Sequence, residues 1–235
     1  MKSGVKEKRI INTGNDDLDK KMGGGIPLKS LTLIEGQPDA GKSVLCQQMI
    51  WGSLKSGLNV AAFTTENTVR SLISQMQSLN LDVLDYFLLS RLQIYPLDAK
   101  KMNQTLHGGI LPMINKCIQW GVDLVIIDSI TYYATQSSVD EVISFFQECK
   151  GFADRGMSIV CSAHTYAFDE ASIGRVGAMC DAHIKLKNET MGSRLVKIME
   201  VAKVRGADMR TGNIISFDVE PGLGIKVIPF SKAKA

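Results

Sequence analysis

Leu31-Thr32-Leu33-Ile34-Glu35-Gly36-Gln37-Pro38-Asp39-Ala40-Gly41-Lys42-Ser43 joins a short apolar run to a glycine-bounded loop that ends in lysine and serine. Gly36 and Gly41 permit backbone conformations and close approaches that a side chain forbids, so successive N–H groups from Gln37 to Ser43 can converge on phosphate oxygens. This is a P-loop. In that pattern Lys42 neutralises the β- and γ-phosphates of ATP, the Ser43 hydroxyl ligates Mg²⁺, and a helix beginning near Gly41 and continuing through Val44 points its positive end at the same anion. A turn that bound nothing would need neither the lysine nor the hydroxyl. Asp39 is the awkward member, a carboxylate in an anion-binding loop, and it is expected to point outward as part of a Pro38-Asp39 turn.

Outward from the loop, the chain alternates between strand and helix patterns. Upstream, Asn12 to Met22 offers capping side chains before a short helix that Gly23-Gly24-Gly25 ends, and charged residues 1–9 are expected to fray. Downstream, Val44, Leu45, Met49, Ile50 and Leu54 follow helical spacing, and residues 59–64 read as a buried strand. Helices are expected over 67–79, 111–120 and 139–153, with strands at 92–97, 122–128 and 158–163. The run Val122-Asp123-Leu124-Val125-Ile126-Ile127-Asp128 is nearly continuous and apolar, as a parallel strand covered on both faces requires. After Gly177 the texture becomes β-rich at 182–186, 194–204, 213–219 and 225–228, which suggests antiparallel strands appended to the sheet. The fold class is therefore α/β, a mainly parallel central sheet flanked by helices with extra antiparallel C-terminal strands, in one domain spanning 1–235.

Three further positions carry candidate chemistry. Asp128 ends a buried strand in the way of an acid that holds Mg²⁺ through its water shell. Glu66 follows the second strand, where it can orient or deprotonate an attacking water; the plainer alternative is a helix-start carboxylate favoured by the dipole. His164, within Cys161-Ser162-Ala163-His164-Thr165, is either a γ-phosphate sensor or a hydrogen-bonded structural residue. Lys203 and Arg205, two residues apart, read on their own as a solvated strand end.

Composition narrows the class. The 27 basic and 24 acidic residues leave a formal charge of +3, which does not identify a polyanionic partner. Five scattered cysteines without a CxxC pair argue against a disulfide framework or zinc site and for small buried residues in a reducing compartment. No apolar run approaches the length of a membrane span or a signal segment, so a soluble, cytoplasmic protein without direct membrane insertion is expected.

Four stretches together resemble the KaiC branch of the RecA superfamily: Thr13-Gly14 and Leu18-Asp19 before Gly23-Gly24-Gly25-Ile26-Pro27; the P-loop; Thr65-Glu66; and Lys203-Val204-Arg205-Gly206. The single-domain length, Gly41-Lys42-Ser43-Val44 in place of Gly-Lys-Thr, and the absence of a second P-loop make the chain most similar to the archaellum accessory ATP-binding family, FlaH or ArlH. That resemblance implies a RecA-like fold and a homo-oligomeric ring peripheral to the cytoplasmic face of a membrane motor, partnered by the motor ATPase and the membrane platform protein. It also implies that Lys203 and Arg205 reach the γ-phosphate of a neighbouring subunit. Relatives often carry two adjacent glutamates where this chain has Thr65-Glu66, so hydrolysis is expected to be slow or absent. The competing readings are a RecA-like recombination or repair paralogue and a KaiC-like signalling ATPase or kinase. The first needs mobile basic loops, yet 136–138 and 166–176 contain only Arg175 as a cation, so no nucleic acid is expected.

Overall fold

Strand β1 (Ile10–Ile11) and helix α1 (Asp16–Lys21) precede β2 (Ile26–Pro27), which pairs antiparallel with β1. The chain between the two strands is held by its polar side chains. Asn15 caps α1 by accepting the Leu18 N–H, and Gly24 and Gly25 close the turn by donating to the Asp19 carbonyl. The Asp19 carboxyl accepts from the Thr13 N–H and hydroxyl, each at 2.9 Å, yet burial outweighs those bonds and pushes it up to about 6. The computed structural model describes residues 10–97, 105–191, 194–207 and 212–229; residues 1–9, expected to fray, lie outside them.

From there the elements run β3 (Leu31–Gly36), α2 (Lys42–Lys55), β4 (Val60–Thr64), α3 (Val69–Ser78), α4 (Leu84–Leu88) and β5 (Leu92–Pro96). A π-helical turn (Leu106–Ile110) leads into α5 (Leu111–Gln119), then β6 (Leu124–Asp128), α6 (Thr131–Gln136), α7 (Val139–Asp154), β7 (Ser158–His164) and α8 (Glu170–Met179). Strands β8 (Ala182–Met191), β9 (Arg194–Val204), β10 (Ile214–Glu220) and β11 (Gly224–Ile228) complete the described chain. Nine strands form one sheet in the order β11-β10-β9-β8-β3-β7-β6-β4-β5. The six from β8 to β5 in that order are parallel, and β9, β10 and β11 are antiparallel to their neighbours.

The strand carrying the P-loop is central and wholly buried. Ile34 packs with Leu45, Met49, Met199 and Phe217 on the α2 and α3 side, whereas Leu31 and Leu33 pack with Phe63, Phe145 and Phe146 on the α5, α7 and α8 side. Each such side chain contributes about 1.5–3 kcal/mol through burial, so the loop emerges from a strand held between two apolar clusters. All five cysteines are buried and unbridged. No described helix is long and apolar enough to cross a membrane.

The α/β fold with its appended antiparallel strands is as expected, with one correction at the junction. Residues 182–186 are not part of the antiparallel extension alone: β8 pairs in parallel with β3, Leu33 opposite His183, and only its other edge meets β9 antiparallel. The cause is α8, which supplies the crossover from β7 and is masked in sequence by Gly174 and Gly177, each costing about 1 kcal/mol of helix propensity. Asp169 compensates by capping α8 through the Ser172 N–H at 2.7 Å. The short helices α4 and α6 also lie where no helix was expected.

Candidate nucleotide-binding site

The loop's shape follows from what its glycines touch. A Cβ on Gly36 would lie 2.5 Å from the Leu186 carbonyl oxygen of β8, and Gln37 donates its N–H to that oxygen at 3.2 Å. Gly41 has φ +95°, and a Cβ there would meet the Phe217 ring at 3.1 Å as well as the strain of the left-handed region. Asp39 also has positive φ, 57°, and is exposed, yet it is not turned clear of the site: it lines the cavity at the loop and its charge acts on Lys42. Ala40 is buried beneath the loop. Gly41 caps α2 without a side-chain acceptor, leaving the first-turn N–H groups of Lys42, Ser43 and Val44 directed at the cavity mouth.

Sheet register assembles the rest. Gly36 stands opposite His164, and Thr64 opposite Asp128, so the ends of β3, β7, β6 and β4 form one rim. Into a cavity of about 490 Å³ at this rim project Lys42, Ser43, Glu66, Asp128 and His164, together with Pro38, Asp39, Gly41, Val44, Ser129, Lys197 and Val219. Lys42 is only 6% exposed and donates to the carbonyls of Gly36 at 3.1 Å and Gln37 at 2.7 Å. Burial lowers its pKa from the ordinary lysine value, opposed by the charges of Asp128 and then Glu66. Ser162, fully buried in β7, donates to Asp128 Oδ1 at 2.5 Å, which fixes the carboxylate plane.

Glu66 lies two residues before Thr68, the true cap of α3, which forms a capping box with Ser71. It is therefore outside the first turn that the helix-start alternative required. Burial, then the nearby Asp128 charge, raises its carboxyl above the usual range, with Lys42 opposing. Thr65 fills a different role: its hydroxyl accepts the Ser129 N–H at 3.2 Å and its N–H donates to the Asp128 carbonyl at 3.1 Å, tying the ends of β4 and β6 together. His164 shares the Thr131 hydroxyl through its Nδ1 at 3.2 Å and its backbone N–H at 2.9 Å, and stacks on Tyr166. Burial and then the Lys42 charge lower its pKa, so the cavity faces a neutral imidazole at pH 7.

Lys203 and Arg205 are not brought to this cavity. Lys203 stands opposite His183, near the start of β8, while the P-loop joins β8 at Leu186. Nor are they a free strand end. Lys203 Nζ donates to the Gly177 and Ala178 carbonyls, each at 3.0 Å, and Arg205 donates to Ala178 at 3.1 Å while facing Asp181 at 3.6 Å. Both cations thus cap the C-terminal end of α8, where the helix dipole favours them. Ser162, Asn188 and Lys197 were missed from sequence; a serine set between apolar Cys161 and Ala163 was the one available signal, for Ser162.

The donors of Ser43 and Asp128 are all oxygens, which suits Mg²⁺. Among the described residues no group of three or more His, Cys, Asp or Glu could hold a metal by itself, so an ion here would draw its remaining ligands from phosphate and water.

A family model described as "ATPase: KaiC" matches residues 11–232. The archaeal flagellar ATP-binding protein FlaH of Sulfolobus acidocaldarius is 37% identical over 229 residues, covering 96% of this chain and 100% of that protein. Its counterpart in Methanocaldococcus jannaschii is 31% identical over 231 residues, covering 95% and 97% respectively. The crystal structure of flagellar accessory protein FlaH from Methanocaldococcus jannaschii aligns with a TM-score of 0.80 at 29% identity, covering 93% of this chain and 98% of that one. The chain belongs to the KaiC family of ATPases and, within it, to the archaeal flagellar ATP-binding proteins FlaH.

Proposed function

We propose that this chain is an ATP-binding regulatory subunit of the archaellum motor, assembling into a ring at the cytoplasmic face of the membrane and engaging the motor ATPase and the membrane platform protein according to its nucleotide state. The observation that carries this reading is the convergence of Lys42, Ser43, Glu66 and Asp128 on one cavity, in a chain similar along its length to FlaH proteins. In it, the loop N–H groups and Lys42 bind the phosphates, and Ser43 and Asp128 hold Mg²⁺, which neutralises phosphate charge. Glu66, its pKa raised, takes the position of general base. Thr65 supplies a structural hydroxyl where a second carboxylate would stand, which supports slow turnover with occupancy as the output. Glu66→Gln is expected to bind ATP like the parent and to lose whatever hydrolysis the parent shows, measured as phosphate release. Equal rates in both would place the base elsewhere.

The ring part of the proposal rests on Lys203 and Arg205 reaching a neighbour's γ-phosphate, since they stand away from the chain's own cavity. Arg205→Ala removes one carbonyl contact and a long ion pair from a half-exposed guanidinium to the largely buried Asp181, which keeps Lys150 at 2.7 Å; the cost is about 1 kcal/mol in the monomer, so folding and monomer ATP binding should persist. ATP-promoted self-association should weaken. Sedimentation of parent and variant with ATP, ADP and no nucleotide decides it; equal ATP-promoted assembly would remove the bridging role. DNA binding finds little support, because the segments that would have to be basic loops, 136–138 and 166–176, hold Arg175 as their one cation, and 170–176 lie within α8.

A further inference from the structure

The crown of the phosphate loop is held from outside by the β8–β9–β10 extension. Asn188, Lys197 and Phe217 are direct cross-strand partners, so they form one row across three strands. All three meet the loop. The Asn188 N–H donates to Gln37 Oε1 at 2.9 Å, its side-chain amide donates to the Pro38 carbonyl at 3.1 Å, and Phe217 packs over Gly41. Lys197 does more than close the row. Its Cδ lies 3.7 Å from the place a Gly41 Cβ would occupy, and its ammonium donates to the Asp39 carbonyl.

Charge gives this contact its significance. Besides the His164 imidazole, the ionisable groups lining the phosphate cavity are three carboxylates, Asp39, Glu66 and Asp128, against two basic side chains, Lys42 and Lys197. A cavity with Lys42 alone would face a triphosphate with an excess of negative charge, worsened by Asp39 in the loop itself. Lys197 stands at that carboxylate's own residue, and its flexible stem lets the ammonium move from the carbonyl to a phosphate oxygen without backbone change. We infer that Lys197 is a second phosphate-binding cation, supplied in cis by β9, that offsets Asp39 and closes the loop crown over the nucleotide. This rests on the ATP-binding reading above.

Two substitutions separate the charge from the clamp. Lys197→Gln keeps an N–H donor for the Asp39 carbonyl and loses the charge, and Lys197→Arg keeps both. With ATP dissociation constants measured at low and high salt, Lys197→Gln is expected to bind about tenfold more weakly at low salt, with a shallower salt dependence, while Lys197→Arg stays within a few-fold of the parent. Melting without nucleotide should match the parent in both variants. Parent-like affinity and salt dependence in Lys197→Gln would overturn the inference and leave Lys197 a structural clamp. A lower nucleotide-free melting temperature with unchanged affinity would overturn it equally. A parent that binds no ATP would instead overturn the underlying ATP-binding reading and this inference with it.

Discussion

Lys42→Ala abolishes the ATP-dependent rise in melting temperature that the parent shows. A ligand bound only by the native state contributes about 2.7 kcal/mol at a hundredfold excess over its dissociation constant, which for a chain of this size corresponds to a shift of roughly 5–11 °C. Lys42 carries most of that because its ammonium is already inside the loop, on the carbonyls of Gly36 and Gln37, where it has been partly desolvated. The alanine variant leaves the N–H groups in place but removes the charge. Its nucleotide-free stability should be equal to or slightly above the parent's, since a buried cation costs free energy to desolvate. Differential scanning fluorimetry across an ATP titration reads both quantities. An unchanged shift in Lys42→Ala would take the lysine out of the phosphate site.

Asp128→Asn should fold normally and lose the dependence of nucleotide affinity on Mg²⁺. The amide is nearly isosteric, and Ser162 can still donate to its oxygen, but the charge that the proposed function assigns to holding a hydrated dication is gone. Ser162→Ala tests the same carboxylate from behind. Removing a partner that orients a metal-binding group typically costs 10- to 100-fold in metal affinity, so the Mg²⁺ concentration needed for half-maximal ATP binding should rise by about that factor. The measurement is ATP affinity across a Mg²⁺ titration for parent and both variants. If Asp128→Asn retains the parent's Mg²⁺ response, the acid has another role, and if only Ser162→Ala is parent-like, the serine is a passive neighbour.

The parts of the site legible in sequence were those in which one residue type has one chemical use. Gly36, Gly41, Lys42 and Ser43 are local in the chain, and Asp128 ends a run whose apolarity already required a buried strand. Glu66 was legible as a carboxylate beyond a strand, but not its distance from the α3 cap, because that depends on the Thr68 and Ser71 capping box. Lys203 and Arg205 looked solvated because their acceptors, the carbonyls of Gly177 and Ala178, belong to a helix whose glycines conceal it. The parallel pairing of β8 was lost for the same reason. Lys197 and Asn188 carried no signal at all, since their meaning comes from strand register with residues 150 or more positions away in the loop.

That separation has a consequence for synthesis. The N-terminal part of the fold leans on the last described strands: Asn15 donates to the Ile225 carbonyl at 2.8 Å, Gln48 of α2 accepts the Ile225 N–H at 2.9 Å, and Phe217 covers Gly41 of the phosphate loop. A ribosome that has released α2 has therefore made a phosphate loop whose supports are still untranslated. Closure of contacts across some 200 residues is slow relative to helix formation. The supported form of the loop is thus a late product of folding, complete only when Phe217 and Ile225 have joined Gly41, Asn15 and Gln48.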